Sequence, residues 1–119
     1  MSKDPYEIAF QLILAAGNSK SKAYEAIEAA REERFDEARQ FIRDSEAEFR
    51  AAHDLQFSLL QDEAKKRHVA VNIILVHAED HVTMALMARE NAEEFINVYS
   101  AIAELKKTIT ASTITSKEN

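Results

Sequence analysis

"NIILVHAEDHVTMALMARENAEEFINVYSAIAELKK", from Asn72 to Lys107, is the stretch whose reading decides the fold. A helix turns by about 100 degrees per residue. With His77 set at zero, Ile73, Asp80, His81, Met84, Ala88, Phe95, Val98, Tyr99 and Ile102 fall within about sixty degrees of it. A second apolar sector, turned to the other side, holds Val71, Ala78, Val82, Ala85 and Ile96. The polar sector is narrow: Glu79, Glu90, Glu93, Glu94 and Asn97. One apolar stripe serves a three-helix monomer. Two predict that this helix also packs against another subunit.

Upstream, "VAVN" reads as a short extended link with Asn72 as the next N-cap. Before it, "KKRH" places positive side chains at the negative end of a second helix. That helix carries Ala38, Ile42, Phe49, Ala52 and Leu59 on one face and is expected to start at Asp36 or its neighbours. The first helix opens at Asp4-Pro5-Tyr6-Glu7, an N-cap, a proline at the first helical position and an acid placed for a capping box. Ile8, Leu12, Ala16, Ser19, Ala23, Ile27 and Ala30 then follow at helical spacing. Gly17 interrupts that frame at a cost of about 1 kcal/mol relative to alanine, so packing must offset it or the helix bends. After Lys107, "TITASTITSKEN" lacks a large apolar face and is expected to be a frayed, flexible tail, leaving residues 1–107 as one domain and 108–119 outside it. The fold class is therefore all-α, an antiparallel up-down-up bundle of three helices.

Composition narrows the function. One glycine and one proline leave no material for P-loops or Rossmann turns, and the absence of cysteine removes disulfides and thiolate chemistry. A formal charge of -6 argues against nucleic acid. The apolar runs are too short for a signal peptide or a membrane span, so a cytoplasmic location without membrane insertion is expected.

The chemistry concentrates in "HAEDH", which puts His77, Asp80 and His81 on one helix face at i, i+3 and i+4 among methionine, phenylalanine and isoleucine. A buried carboxylate must be protonated, paired or metal-bound. If the helix meets its symmetry mates along this face, copies of Asp80 converge on an axis and a cation would offset their repulsion. The histidines are open to three readings. They can be hydrogen-bonded core residues, with the acid orienting a ring. They can begin a zinc site, which needs further ligands. They can supply an imidazole nucleophile for phosphorus, which needs an accessible nitrogen and donors for the phosphoryl oxygens. The metalloprotease pattern is excluded, because Ala78 stands where it needs a glutamate. His53 and His68 have no fixed spacing to the cluster.

"ILVHAEDHVTMA", Ile74 to Ala85, resembles the signature of the IIA component of the lactose/cellobiose family of the bacterial phosphoenolpyruvate-dependent sugar phosphotransferase system, which usually reads His-Ala-Gln-Asp-His. "AGNSKSKAYEAIEAAREERFDEA" (16–38) and "HDLQFSLLQDEA" (53–64) are similar to two further family segments, the latter to His-x-x-Gln-x-x-Leu-Leu-x-x-Glu-Ala. The resemblance is colinear over residues 4–107. It implies a homotrimer forming a nine-helix assembly, and a phosphotransferase component working through a phosphohistidine. His77 would take a phosphoryl group on Nε2 from phosphorylated HPr. The group would pass to a cysteine of a cognate IIB component and then to a β-linked disaccharide, such as lactose, cellobiose or chitobiose, entering through the membrane component IIC. Asp80 matches the aspartate that, with its two symmetry copies, holds Mg2+ or a similar divalent ion, and His81 the second histidine, near the phosphoryl oxygens. Glu79 replaces the usual glutamine and, when ionised, only accepts hydrogen bonds. Lys20 stands at an arginine position. A non-catalytic trimeric interaction or regulatory protein of the same fold is the competing expectation, and a stand-alone metal-binding bundle a third.

Overall fold

The computed structural model describes residues 4–118; residues 1–3 of the expected domain and Asn119 of the expected tail lie outside the described residues. Three helices run in the order α1 (Pro5–Arg31), α2 (Phe35–Ala64) and α3 (Ile73–Glu118), with no strand among the described residues.

Two of the expected caps are in place. The Asp4 carboxylate accepts from the Tyr6 amide at 2.9 Å, with proline at the start of the helix. Glu7 does not close a capping box but accepts from the Gln11 amide at 3.4 Å. At the start of α3, Asn72 Oδ1 accepts from the Leu75 amide at 2.9 Å and its carbonyl from the Val76 amide at 3.1 Å. The start of α2 departs from expectation. Arg34 occupies the cap and its side chain makes no capping bond, while Asp36 lies inside the first turn beside Glu37. There both acids face the positive end of the dipole.

Both helix–helix turns are left-handed caps built without glycine. Glu33 has φ 64° and Lys66 φ 63°. In the first, the Arg34 amide bonds the Ala29 carbonyl at 2.9 Å and the Glu33 amide that of Ala30 at 3.0 Å. In the second, the Arg67 amide bonds the Asp62 carbonyl at 2.9 Å and the Lys66 amide that of Glu63 at 3.0 Å. This double bond pattern is the Schellman motif, usually entered through glycine. The link that follows is pinned by Glu63, whose carboxylate accepts from the Val69 amide at 2.9 Å and meets His68 Nδ1 at 3.2 Å. Those two contacts, the Val69 amide foremost, hold the Glu63 carboxyl below the usual carboxylate range.

The core is made largely of alanine. Ala9, Leu12, Ala15 and Ala16 meet Ala52, Leu75, Ala78, Val82 and Ala85 at one end of the bundle. Ala23, Ala26, Ala29 and Ala30 meet Ala38, Ile42, Ala92 and Ile96 at the other. The early half of α1 thus lies beside the late half of α2 and the early half of α3, which is the up-down-up order. Between the clusters, Ser19 and Ser45 are fully buried. Ser19 Oγ donates to the Ser45 carbonyl at 2.9 Å and Ser45 Oγ to that of Ser19 at 2.8 Å. Small side chains let the helix axes come close, and the reciprocal bonds satisfy the hydroxyls that this approach buries. Gly17 leaves α1 unbroken, and a Cβ there would meet nothing within 4 Å.

Helix α3 exceeds its expected length. Lys106 pairs with Glu33 at 3.7 Å, which marks the level of the α1–α2 turn. The helix does not stop at Lys107, however, but runs to Glu118, and its side chains from Glu104 to Ile114 are exposed. Thr108 contributes by bonding its hydroxyl back to the Glu104 carbonyl at 3.1 Å, so threonine is accommodated in helical backbone rather than ending it. The particles are correspondingly long, 77 Å by 20 Å by 20 Å.

The two sectors of α3 separate in the main, although Ala88 and Tyr99, assigned from the sequence to the outer one, are half-buried against the core. Leu75, Ala78, Val82, Ala85, Ala92, Ile96 and Ala103 are buried inside the chain. Ile73, Met84, Met87, Phe95, Val98, Ile102 and Leu105 are exposed, Phe95 by 45% and Val98 by 52%. Val71, assigned from the sequence to the inner sector, precedes the helix and is exposed. Arg89 is the exception on the inner side. Its guanidinium reaches Glu46 of α2 and Glu93, both at 3.1 Å, while its Nε is buried without a partner.

Candidate functional site

The first two turns of α3 set the site. Asn72 fixes where the helix begins, and Leu75, Ala78 and Val82 fix which side faces inward. His77, Asp80 and His81 are thereby turned outward, His77 and Asp80 exposed and His81 half-buried. A shallow surface concavity lined by Ile73, Ile74, Val76, His77, Glu79, Asp80 and Thr83 opens beside them.

The two imidazoles touch. His77 Nε2 and His81 Nε2 are 3.0 Å apart, with ring centroids at 4.4 Å and planes at 85°. A hydrogen bond between two ring nitrogens needs one donor and one acceptor, so one Nε2 carries a proton and the other presents its lone pair. Assigning the lone pair to His77 puts a neutral nucleophilic nitrogen beside a fixed N–H. That combination suits attack on an electrophile that develops negative charge on its oxygens.

Asp80 lies on the same face, and among the described residues no hydrogen bond or ion pair reaches it. Among those residues, no group of three or more histidines, cysteines or acids in one chain is placed to hold a metal ion. The donor chemistry of Asp80 still fits a hard divalent cation, because an ionised carboxylate offers only acceptor oxygens. One carboxylate is an incomplete set, so further oxygens must come from other copies of the chain or from water.

Glu79 lines the concavity with His77 and Asp80, but its hydrogen bond goes elsewhere. It points towards α2, where the Gln56 amide donates to its Oε2 at 2.5 Å, both side chains half-buried. Gln56 lies within the segment 53–64, but neither its residue type nor the charge on its own element gives a sign of a partner on α3. His53 stands apart on α2 between Phe49 and Phe57, with centroids at 6.3 and 6.5 Å. His68 belongs to the Glu63 contact. Lys20 is half-exposed on α1 and makes no ion pair among the described residues.

Comparisons with known proteins agree in one direction. The family model for the lactose/cellobiose-specific IIA subunit of the PTS system matches residues 7–100. The lichenan-specific phosphotransferase enzyme IIA component of Bacillus subtilis (strain 168) is 38% identical over 104 residues, 87% of this chain and 94% of the relative. The crystal structure of the PTS cellobiose-specific enzyme IIA from Bacillus anthracis superposes with a TM-score of 0.83 at 34% identity, covering 87% of this chain and 95% of that one. A chain in the solution structures of the IIA(Chitobiose)–HPr complex of Escherichia coli gives 0.74 at 27% identity, covering 86% and 99%.

Proposed function

Because the chain belongs to the family of lactose/cellobiose-specific IIA subunits of the sugar phosphotransferase system, we propose that it carries a phosphoryl group on His77 between phosphorylated HPr and the cysteine of a cognate IIB component. The observation that carries this reading is the 3.0 Å contact between His77 Nε2 and His81 Nε2 on the outer face of α3. The His77 lone pair forms the new N–P bond while the bond from phosphorus to the donor breaks and its electron pair returns to the donor. As the lone pair is used, His77 ceases to be an acceptor for His81. The His81 N–H is then free to turn to a phosphoryl oxygen, where charge assistance strengthens the bond. The HPr complex of the chitobiose relative supports HPr as the donor. The passenger is a β-linked disaccharide, selected by the membrane component IIC, and the setting is the cytoplasm; no helix among the described residues is long and apolar enough to cross a membrane.

The outer stripe supports assembly with other copies of the chain. Met84, Ala88, Asn91, Phe95, Val98, Ile102 and Leu105 alternate steps of four and three, the heptad period of helices packed along a shared seam. Three copies meeting there form the homotrimer, a nine-helix assembly with three Asp80 carboxylates at its axis. Those oxygens would hold Mg2+ or a similar ion, which when bound supplies positive charge against their mutual repulsion. The competing reading, a trimeric interaction protein without transfer chemistry, drew its support from Glu79. That carboxylate accepts a hydrogen bond from Gln56, and labelling separates the two readings.

The test is labelling. Given phosphoenolpyruvate, enzyme I and HPr, the protein gains one acid-labile phosphoryl group per chain, and His77→Gln gains none. Undiminished labelling of His77→Gln defeats the assignment.

A further inference from the structure

We infer that Gln56 and Glu79 are positioning residues for the histidine pair, an inference that rests on the phosphoryl-carrier reading for its kinetic consequence but not for its structural one. Glu79 follows His77 by two residues, which places it about 200 degrees around the helix from it. A carboxylate there faces α2, and the 2.5 Å bond from Gln56 is where it ends. Among the described residues this is the one side-chain hydrogen bond that joins α2 to the first three turns of α3. The rest of that attachment is apolar: Ala52, Leu75, Ala78 and Val82 are buried in the core, Leu55, Leu59, Val69 and Ile74 around them are only partly buried, and Ile73 is 80% exposed. Apolar contact is non-directional, so these buried residues set which side of α3 faces inward, and the hydrogen bond adds a directional restraint on small rotations within that packing.

Rotation is what the histidines cannot tolerate. A turn of about 20 degrees moves atoms some 5 Å from the axis by about 2 Å. Both rings ride on α3, so such a turn changes the burial of His81 and the surroundings of both rings as well as their aim at a docked donor. Misplacement of about 1 Å at a reacting centre can cost about a hundredfold in rate. The tie also has a sense. An ionised Glu79 only accepts, so the Gln56 NH2 must face it and the Gln56 carbonyl faces away. Glu79 is therefore a latch between α3 and α2, at the edge of the concavity that His77 and Asp80 also line.

Four variants test this: Glu79→Leu, Gln56→Leu, the double Leu variant, and Glu79→Gln, whose carbonyl can still accept from Gln56. With phospho-HPr at saturation, each Leu variant and the double variant should label about a hundredfold more slowly, and Glu79→Gln within about twofold of wild type. Equal loss in the single and double variants identifies one shared contact. Nitrogen-15 spectra of the imidazoles in the unphosphorylated protein give a readout independent of transfer. The Leu variants should broaden or shift the His77 and His81 signals while folding with a Tm close to that of wild type. Wild-type imidazole spectra in Glu79→Leu overturn the inference, as does a Glu79→Gln that labels many times faster, since that would place the carboxylate against the phosphoryl group. If wild type itself takes no label, the carrier reading fails, and the spectra still decide whether the latch exists.

Discussion

Replacing His81 by Leu removes the N–H beside the nucleophile while keeping a side chain of similar bulk on a half-buried position. The expected loss follows from what that N–H does. With the proton assigned to His81, it bonds His77 Nε2 at 3.0 Å in the resting chain, and in the proposed transfer it moves to a phosphoryl oxygen. A hydrogen bond to a charged group is worth about 1.5–3 kcal/mol net. The face is open to solvent in a single chain, which puts the value near the lower limit, about 1.5 kcal/mol, or about tenfold in rate. His81→Gln keeps an N–H at similar reach and should recover to within about threefold of wild type. The assay is rapid-quench transfer of radiolabelled phosphate from phospho-HPr at saturating donor, so that docking does not mask the chemical step. A Leu variant within about twofold of wild type refutes the reasoning, and so does a Gln variant no better than Leu.

Further expectations concern the frame around the site. Lys66→Gly should stabilise the chain by about 1 kcal/mol and raise Tm by about 4 °C, because a left-handed residue with a Cβ carries that strain; Lys66→Ala should stay near wild type in the same thermal melts. Glu33→Gly should gain less, since it also gives up an exposed ion pair with Lys106 worth about 0.5 kcal/mol. The Glu63 carboxyl is held below its usual range, so its contribution is present above the ordinary carboxylate value and is lost as pH falls through the lowered one. Melts from about pH 6 to about pH 3 should therefore show a steeper loss of Tm for wild type than for Glu63→Gln. Asp80→Leu should leave the assembly intact or more stable in sedimentation, because it removes like charges from the proposed axis and adds apolar contact; dissociation to monomers would contradict the axial placement.

Much of the fold was legible because periodicity reports burial directly. Asn72 and Asp4 were readable as caps from residue type and position, and the inner sector of α3 from the spacing of Ala78, Val82, Ala85 and Ile96. The turn at Glu33 was placed only by the break in the apolar frame, because a glutamate in left-handed backbone gives no compositional signal. The C-terminal end of α3 was misread for the opposite reason. Thr108 to Ile114 have weak helical preference and no apolar face, yet they continue a long helix already nucleated, so propagation outweighs propensity. In the site, the shared face of His77, Asp80 and His81 followed from i, i+3, i+4 arithmetic. The Gln56–Glu79 latch did not, because contacts between helices depend on the relative rotation of two elements, which neither helix encodes alone.

The central claim is that the outward-facing Nε2 of His77 is the phosphoryl-accepting atom. Phosphorus-31 and nitrogen-15 spectra of the protein phosphorylated through phosphoenolpyruvate, enzyme I and HPr test it most directly. One phosphoryl group per chain, coupled to Nε2 of His77 with His81 unmodified, is the predicted result; phosphorus on His81, or on Nδ1 of His77, would contradict it.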